Sequence, residues 1–146
     1  YHSLNKDSQF IKNYKNRAEE QFVLRRERSI LGAMMNNFNL LKHLDEIFAE
    51  LYISNFYLSE LRDAIIDIIS SEKVESSREL KILLLKKGFS STIKNHFVTD
   101  DCIKLNLIEN YSSEKTSLNE AKKAILSVIN HQEEWYKKKN KTLSKI

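Results

Sequence analysis

Four histidines and two short acidic tracts are the residues of this chain whose types could support metal binding or acid–base chemistry. The histidines are far apart in the sequence, at His2, His43, His96 and His131. None has the His-Glu-x-x-His spacing that places two imidazole ligands on one helix face. In the tract from His131 to Glu134, a helix brings His131 and Glu134 to one face and turns Glu133 away. We interpret this tract as a solvated helix face rather than a metal site.

The other reactive residue types also lack the neighbours that catalysis requires. Asp100 and Asp101 precede a short apolar run, where a carboxylate is typical of a helix N-cap. Cys102 lies within that run and is interpreted as a small buried hydrophobe rather than a nucleophile. Two isolated glycines, Gly32 and Gly88, cannot form a phosphate-binding loop. The sequence therefore predicts a chain that is not itself an enzyme and has no metal or cofactor of its own.

The elements that position these residues are predicted to be helices. The chain has 146 residues, 41% of them hydrophobic, with no proline and two glycines, and this composition argues against tight hairpins. Apolar residues recur at spacings of three and four, which predicts seven or eight helices. We expect an all-α fold, a bundle of several short helices followed by a long C-terminal helix or helical hairpin. Its predicted segments are a linker or N-terminal helix (1–24), a helical bundle (25–112) and a C-terminal helix or hairpin (113–146).

Short polar residues and one glycine mark the expected ends of these helices. Asn, Ser, Thr and Asp favour the N-cap position because their side chains accept a hydrogen bond from a free backbone N–H group. Gly88 follows two lysines and predicts a helix end, since glycine tolerates the left-handed conformation found there. The predicted N-caps are Asn39, Ser54-Asn55 or Ser59, Ser76 or Ser77, and Thr99-Asp100.

The net charge of +4 is unevenly distributed along the chain. Residues 1–28 carry +3, residues 29–136 carry −4, and residues 137–146 carry +5 from five lysines. A body that binds nucleic acid usually has a basic face, so the acidic middle predicts that nucleic-acid contact is weak or indirect. No apolar run approaches the ~18 residues of a membrane span, and a single cysteine excludes an internal disulfide. We expect a cytoplasmic protein without a membrane partner and, because residue 1 is Tyr1, a piece of a longer protein.

The C-terminal segment carries the residues best suited to binding another protein. Trp135 and Tyr136 end a long apolar stripe, and aromatic side chains are enriched at interface hot spots because they bury a large rigid area. The neighbouring lysines would steer an acidic partner toward this surface. The alternative, which the sequence leaves open, is that Trp135 only packs the terminal helix onto the bundle. The predicted partner-binding residues are Ile129, Trp135, Tyr136, Lys137, Lys138, Lys139 and Leu143.

Three stretches within residues 26–88 resemble one known family. Residues 26–37 contain the pattern Glu-x-x-Ile-Leu-x-x-Met-Met-x-Asn, and the leucine pair Leu40-Leu41 follows. Residues 55–66 place an aromatic pair before a leucine-led helix, and residues 77–88 are leucine-rich and end on a glycine. This order is similar to the helicase-binding C-terminal domain of bacterial DNA primase (the DnaG type), although that family often has a proline two residues after its asparagine or histidine, and this chain has Phe38-Asn39 there. The likeness is thin over residues 89–146.

The resemblance implies a non-catalytic module that binds the N-terminal collar of the replicative DnaB-type helicase. Such a module recruits primase to the replication fork for RNA primer synthesis, and in the family a C-terminal helical hairpin supplies much of the contact. Zinc and magnesium would belong to the catalytic parts of the parent primase, outside this sequence. Some family members also hold the acidic tail of single-stranded DNA-binding protein, on basic residues that have no identified counterpart here.

Two alternatives are left open by the sequence. The N-terminal domain of the DnaB-type helicase is similar to the primase domain, and it shares the run Leu31-Gly32-Ala33 and the pair Phe56-Tyr57. The long terminal helix with Trp135 and the lysine-rich end favour primase. The other alternative is a helical nucleic-acid-binding module that uses the two basic ends, and its binding would fall steeply with added salt.

Overall fold

The structure of the protein is a computed structural model that describes the backbone of residues 2–98 and 117–144 and the side chains of residues 15–98 and 117–141. Within these residues there are six α-helices and no strand. In chain order they are α1 (His2–Asn36), α2 (Phe38–Glu50), α3 (Phe56–Ser71), α4 (Ser77–Lys86), α5 (Ser90–Phe97) and α6 (Leu118–Ser144). The predicted all-α fold is confirmed. The helix expected at residues 102–108, its Thr99-Asp100 cap and the interpretation of Cys102 lie outside the described residues.

The first helix is longer than its sequence pattern indicates. Residues 1–24 were expected to form a linker or an N-terminal helix, separate from the helical bundle that begins at residue 25. The structure instead has one helix of 35 residues, so that boundary lies in its interior. The arginine-rich residues that follow position 24 include no proline or glycine, so nothing there stops the helix from continuing.

Asn37 alone separates α1 from α2. Its side-chain oxygen accepts a hydrogen bond from the backbone N–H of Leu40 at 3.1 Å, and its own backbone N–H still donates to Ala33 of α1. Asn37 is therefore the N-cap of α2 and is 2% exposed. The prediction of Asn39 as the cap was wrong. Asn39 is exposed and lies inside the first turn of α2. The cap falls on Asn37 instead because α1 ends one residue before it.

Local signals place the ends of α3 and α4 as predicted. Asn55 caps α3 by accepting from the Leu58 N–H at 3.0 Å, and Ser76 caps α4 by accepting from the Glu79 N–H at 3.2 Å. Gly88 follows α4 with φ of +95°, the left-handed conformation in which a side chain is strained. The Gly88 and Phe89 N–H groups donate back to the Leu85 and Leu84 carbonyls, which makes this end a Schellman motif.

One hydrophobic core joins the helices. The apolar faces of α1, α2 and α3 form its centre, α4 contributes two leucines, and α6 packs on α1 and α2. The largest fully buried side chains are Phe48, Ile30, Leu31, Met34, Leu40, Leu41, Leu44, Leu58, Leu61, Ile65, Ile68 and Leu80. Over residues 118–144 the C-terminal segment is one uninterrupted helix, so the helix alternative, and not the hairpin, is confirmed there. None of the described helices combines the length and apolar character that a membrane crossing needs.

Candidate protein-docking site

The structure divides the predicted partner-binding residues between the core and the surface. Ile129 is 1% exposed and belongs to the hydrophobic core, so it is not accessible to a partner that docks on the folded chain. Trp135 and Tyr136 are half-buried, and the three lysines that follow, 137–139, are exposed on α6. The side chain of Leu143 lies outside the described residues.

Trp135 connects α6 to α1 and to the segment between α2 and α3. Its indole N–H donates to the Glu19 carboxylate at 2.8 Å, and Tyr52 stacks against it with ring centroids 6.3 Å apart. Tyr52 also stacks on Tyr136, with centroids 4.0 Å apart. The Lys139 ammonium lies 5.0 Å from the centroid of the Trp135 ring. Trp135 thus packs the terminal helix onto the bundle while part of its ring stays accessible. We call Tyr52, Trp135, Tyr136 and Lys137–Lys139 the aromatic–lysine surface.

A buried carboxylate fixes the α2–α3 connection beneath this surface. Glu27 of α1 is fully buried, and its oxygens accept from the Ser54 N–H at 2.7 Å, the Ser54 hydroxyl at 2.9 Å and the Asn55 N–H at 3.2 Å. A fourth donor is the Gln132 side-chain amide of α6, at 2.8 Å. A buried ionised group is tolerated only when its lone pairs are satisfied, and four donors do this for Glu27. The carboxylate therefore holds three elements together.

Gln132 fixes the position of α6 along α1. It is fully buried, and its amide N–H₂ also donates to the Tyr52 carbonyl at 3.0 Å while its oxygen accepts from Arg26 Nε at 2.7 Å. Burial lowers the pKa of the Arg26 guanidinium, and the neighbouring Glu27 carboxylate opposes that shift. A slide of α6 by one turn would break the bonds of the Gln132 side chain to Glu27, to Arg26 and to the Tyr52 carbonyl, so these contacts favour a single docking register.

Sequence reasoning missed both Glu27 and Gln132. Each is a polar residue on the buried side of its helix: Glu27 lies between Val23 and Ile30, and Gln132 follows Ile129 by three residues. A charged or amide residue at a position that the apolar spacing assigns to the core was the available signal. Its partner, about a hundred residues away, was not readable from the sequence.

A cleft of about 830 Å³ opens beside Trp135. Its floor includes Val23 and Glu27 of α1, and Ser54 and Asn55 form one side. Glu19 and Glu20 line the α1 wall and Lys138 and Lys139 the α6 wall, so the cleft has an acidic and a basic edge. The cleft thus combines apolar and polar lining residues, charged edges and a half-exposed tryptophan, and this combination makes it a candidate protein-docking site.

The described residues contain no group of three or more His, Cys, Asp or Glu side chains placed to hold a metal ion. In the tract from His131 to Glu134, His131, Glu133 and Glu134 are exposed, and the one buried residue is Gln132. Comparison with protein families, with characterised proteins and with solved structures finds no match to this chain.

Proposed function

We propose that this chain is a non-catalytic protein-docking module, the helicase-binding C-terminal domain of a DnaG-type primase. In this role it binds the N-terminal collar of the replicative DnaB-type helicase and brings the primase to the replication fork for primer synthesis. The module works in the cytoplasm, and its parent enzyme uses zinc and magnesium in other parts of the protein. A contact with the acidic tail of single-stranded DNA-binding protein is a secondary role of the module, and no residues of this chain are assigned to it.

One observation carries the proposal: the aromatic–lysine surface is held in place by the buried hydrogen bonds of Glu27 and Gln132 and still leaves aromatic area accessible. Tyr52 is 39% exposed even though it stacks on Tyr136. Rigid aromatic groups lose little entropy on binding, so such a surface can contribute affinity, while Lys137–Lys139 accelerate encounter with an acidic partner. The order of helices and the apolar patterns over residues 26–88 supply the identity of the partner by resemblance.

The proposal is tested by titrating the chain into the purified intact helicase hexamer from the same organism, by calorimetry, at about 50 and 200 mM salt. A docking surface of ~1,000 Å² or more with an apolar centre predicts saturable binding that weakens only a few-fold between these salt concentrations. Absence of a binding heat at concentrations up to about 100 µM would overturn the proposal.

The two alternative functions predict different results in parallel measurements. A nucleic-acid module would bind single-stranded DNA with an affinity that falls by orders of magnitude over the same salt range. A helicase N-terminal domain would instead associate with itself, which sedimentation of the chain alone would detect.

A further inference from the structure

A second aromatic feature, the exposed pair Phe56 and Tyr57, lies outside the predicted partner-binding residues. Phe56 is 66% exposed and Tyr57 is 59% exposed, and the two rings meet edge to face with centroids 5.6 Å apart. Exposing two adjacent aromatic rings gains nothing for folding, because neither is removed from water by the core. Exposed apolar groups of this size in a contiguous patch mark interaction surfaces.

The pair is held rigidly although it is exposed. Both residues form the first turn of α3, whose N-cap Asn55 accepts from the Leu58 N–H. The backbone N–H of Asn55 and the residue before it, Ser54, are bonded to the buried Glu27 carboxylate. A binding partner therefore meets two rings whose backbone is already ordered, and the entropy cost of fixing a flexible loop is avoided.

The pair also adjoins the surface described above. Phe56 directly follows Asn55, which lines the same cleft as Trp135 and Lys138. At the other end of this short connection, Tyr52 stacks on Tyr136. Five aromatic residues thus lie in or next to the α2–α3 connection, or on the part of α6 that packs against it: Tyr52, Phe56, Tyr57, Trp135 and Tyr136.

We propose that Phe56 and Tyr57 form a second apolar anchor of the docking surface, so that a partner helix lies across the cleft from α6 to the start of α3. This inference rests on the proposed function and adds a contact that the terminal helix alone does not supply. The occupant is an amphipathic helix of the helicase collar, with apolar residues toward the aromatic rings. Its edge toward α6 is acidic, because Lys138 and Lys139 line the cleft there.

The test compares two double variants in the calorimetric titration with the intact helicase hexamer. Phe56→Ser with Tyr57→Ser removes the pair, and the control, Ile82→Ser with Leu85→Ser, removes two residues of α4 that are 42% and 51% exposed. We expect the first variant to bind at least tenfold more weakly than the wild type and the control to bind within about twofold. The single variant Tyr57→Ser should weaken binding by an intermediate factor, and circular dichroism checks that each variant keeps its helix content.

The outcomes separate the two proposals. If both double variants bind as tightly as the wild type, the second anchor is overturned and the docking function still stands. Equal weakening in both double variants would also overturn it, because the effect would then not belong to this pair. If the wild type itself does not bind, the docking function fails and the second anchor fails with it.

Discussion

At the residue scale, the chain depends on a few polar side chains placed where the apolar pattern predicts core. Glu27 and Gln132 lie on buried helix faces and connect α1, α6 and the α2–α3 connection. Its residue type and the neighbouring lysines made Trp135 a candidate binding residue in the sequence. Its hydrogen bond to Glu19 and its stacking on Tyr52 could not be predicted. Residue type is a local property, whereas these contacts join positions separated by 83 to 116 residues, and no local pattern encodes them.

The carboxylate of Glu27 is expected to be the most sensitive polar group in the described structure. Glu27→Gln keeps the shape but turns an amide N–H₂ toward donors from Ser54, Asn55 and Gln132, so at least one buried donor loses its acceptor. We expect the free energy of unfolding to fall by about 2–3 kcal/mol, measured by urea denaturation. The matched variant Glu20→Gln on the exposed side of α1 should change it by less than ~0.5 kcal/mol. A loss below that limit for Glu27→Gln would contradict the role assigned to the network.

His96 gives the fold a pH dependence at the contact between α5 and α1. Burial lowers the pKa of His96 below 6.5, and the adjacent Arg28 lowers it further. Arg28 Nε donates to the ring Nδ1 at 3.3 Å, which requires a ring that is unprotonated at that nitrogen. The unfolded chain therefore binds the proton more readily than the folded chain, and stability falls as the pH drops below about 6.5 and through the lowered pKa.

The variant His96→Gln should lose less stability than the wild type between pH 7.5 and pH 5, because it has no proton to bind at this position. Urea unfolding at both pH values measures the difference. The exposed His43, changed to Gln in the same way, is the control for the loss of one histidine. A His96→Gln chain with the same acid-induced loss as the wild type would show that the Arg28–His96 contact contributes nothing to it.

At the scale of elements, helix ends that are set by nearby residues were predictable, and helix ends set by a preceding helix were not. Asn55, Ser76 and Gly88 act on backbone groups within a few residues. Gly88 was predicted from the sequence, and Asn55 and Ser76 were each among the alternative caps that the sequence offered. The junction of α1 and α2 depends instead on where a helix of 35 residues ends. The N-cap of α2 was assigned to Asn39, two residues too late. The same continuity of α1 removed the expected break near residue 24.

The two asparagines provide a direct test of the observed junction. Asn37→Ala removes the acceptor for the Leu40 N–H at a site that is 2% exposed, and we expect a loss of about 1–2 kcal/mol of unfolding free energy. Asn39→Ala, on the exposed face of the first turn, should cost less than about 0.5 kcal/mol. The reverse order of the two effects in thermal or urea unfolding would restore Asn39 as the cap.

At the scale of the whole molecule, α6 closes the bundle by returning against α1 and α2. This return places the lysine-rich end of the chain next to the α2–α3 connection, so one end of the bundle combines exposed aromatic rings with positive charge. The all-α class was predictable from periodicity and composition, whereas the choice between a long C-terminal helix and a hairpin was left open. The meeting of α6 with α1 was not predictable, because a helix stripe shows which face is buried but not which other helix covers it.

The most direct test of this account measures binding and folding together for Trp135→Ala, beside His131→Ala as an exposed control on the same helix. Each chain is titrated into the intact helicase hexamer by calorimetry, and its helix content and urea midpoint are recorded. We predict saturable wild-type binding that weakens at least tenfold in Trp135→Ala, with helix content retained, and that changes less than twofold in His131→Ala. Binding by Trp135→Ala equal to that of the wild type, or no binding by the wild type, would contradict the account.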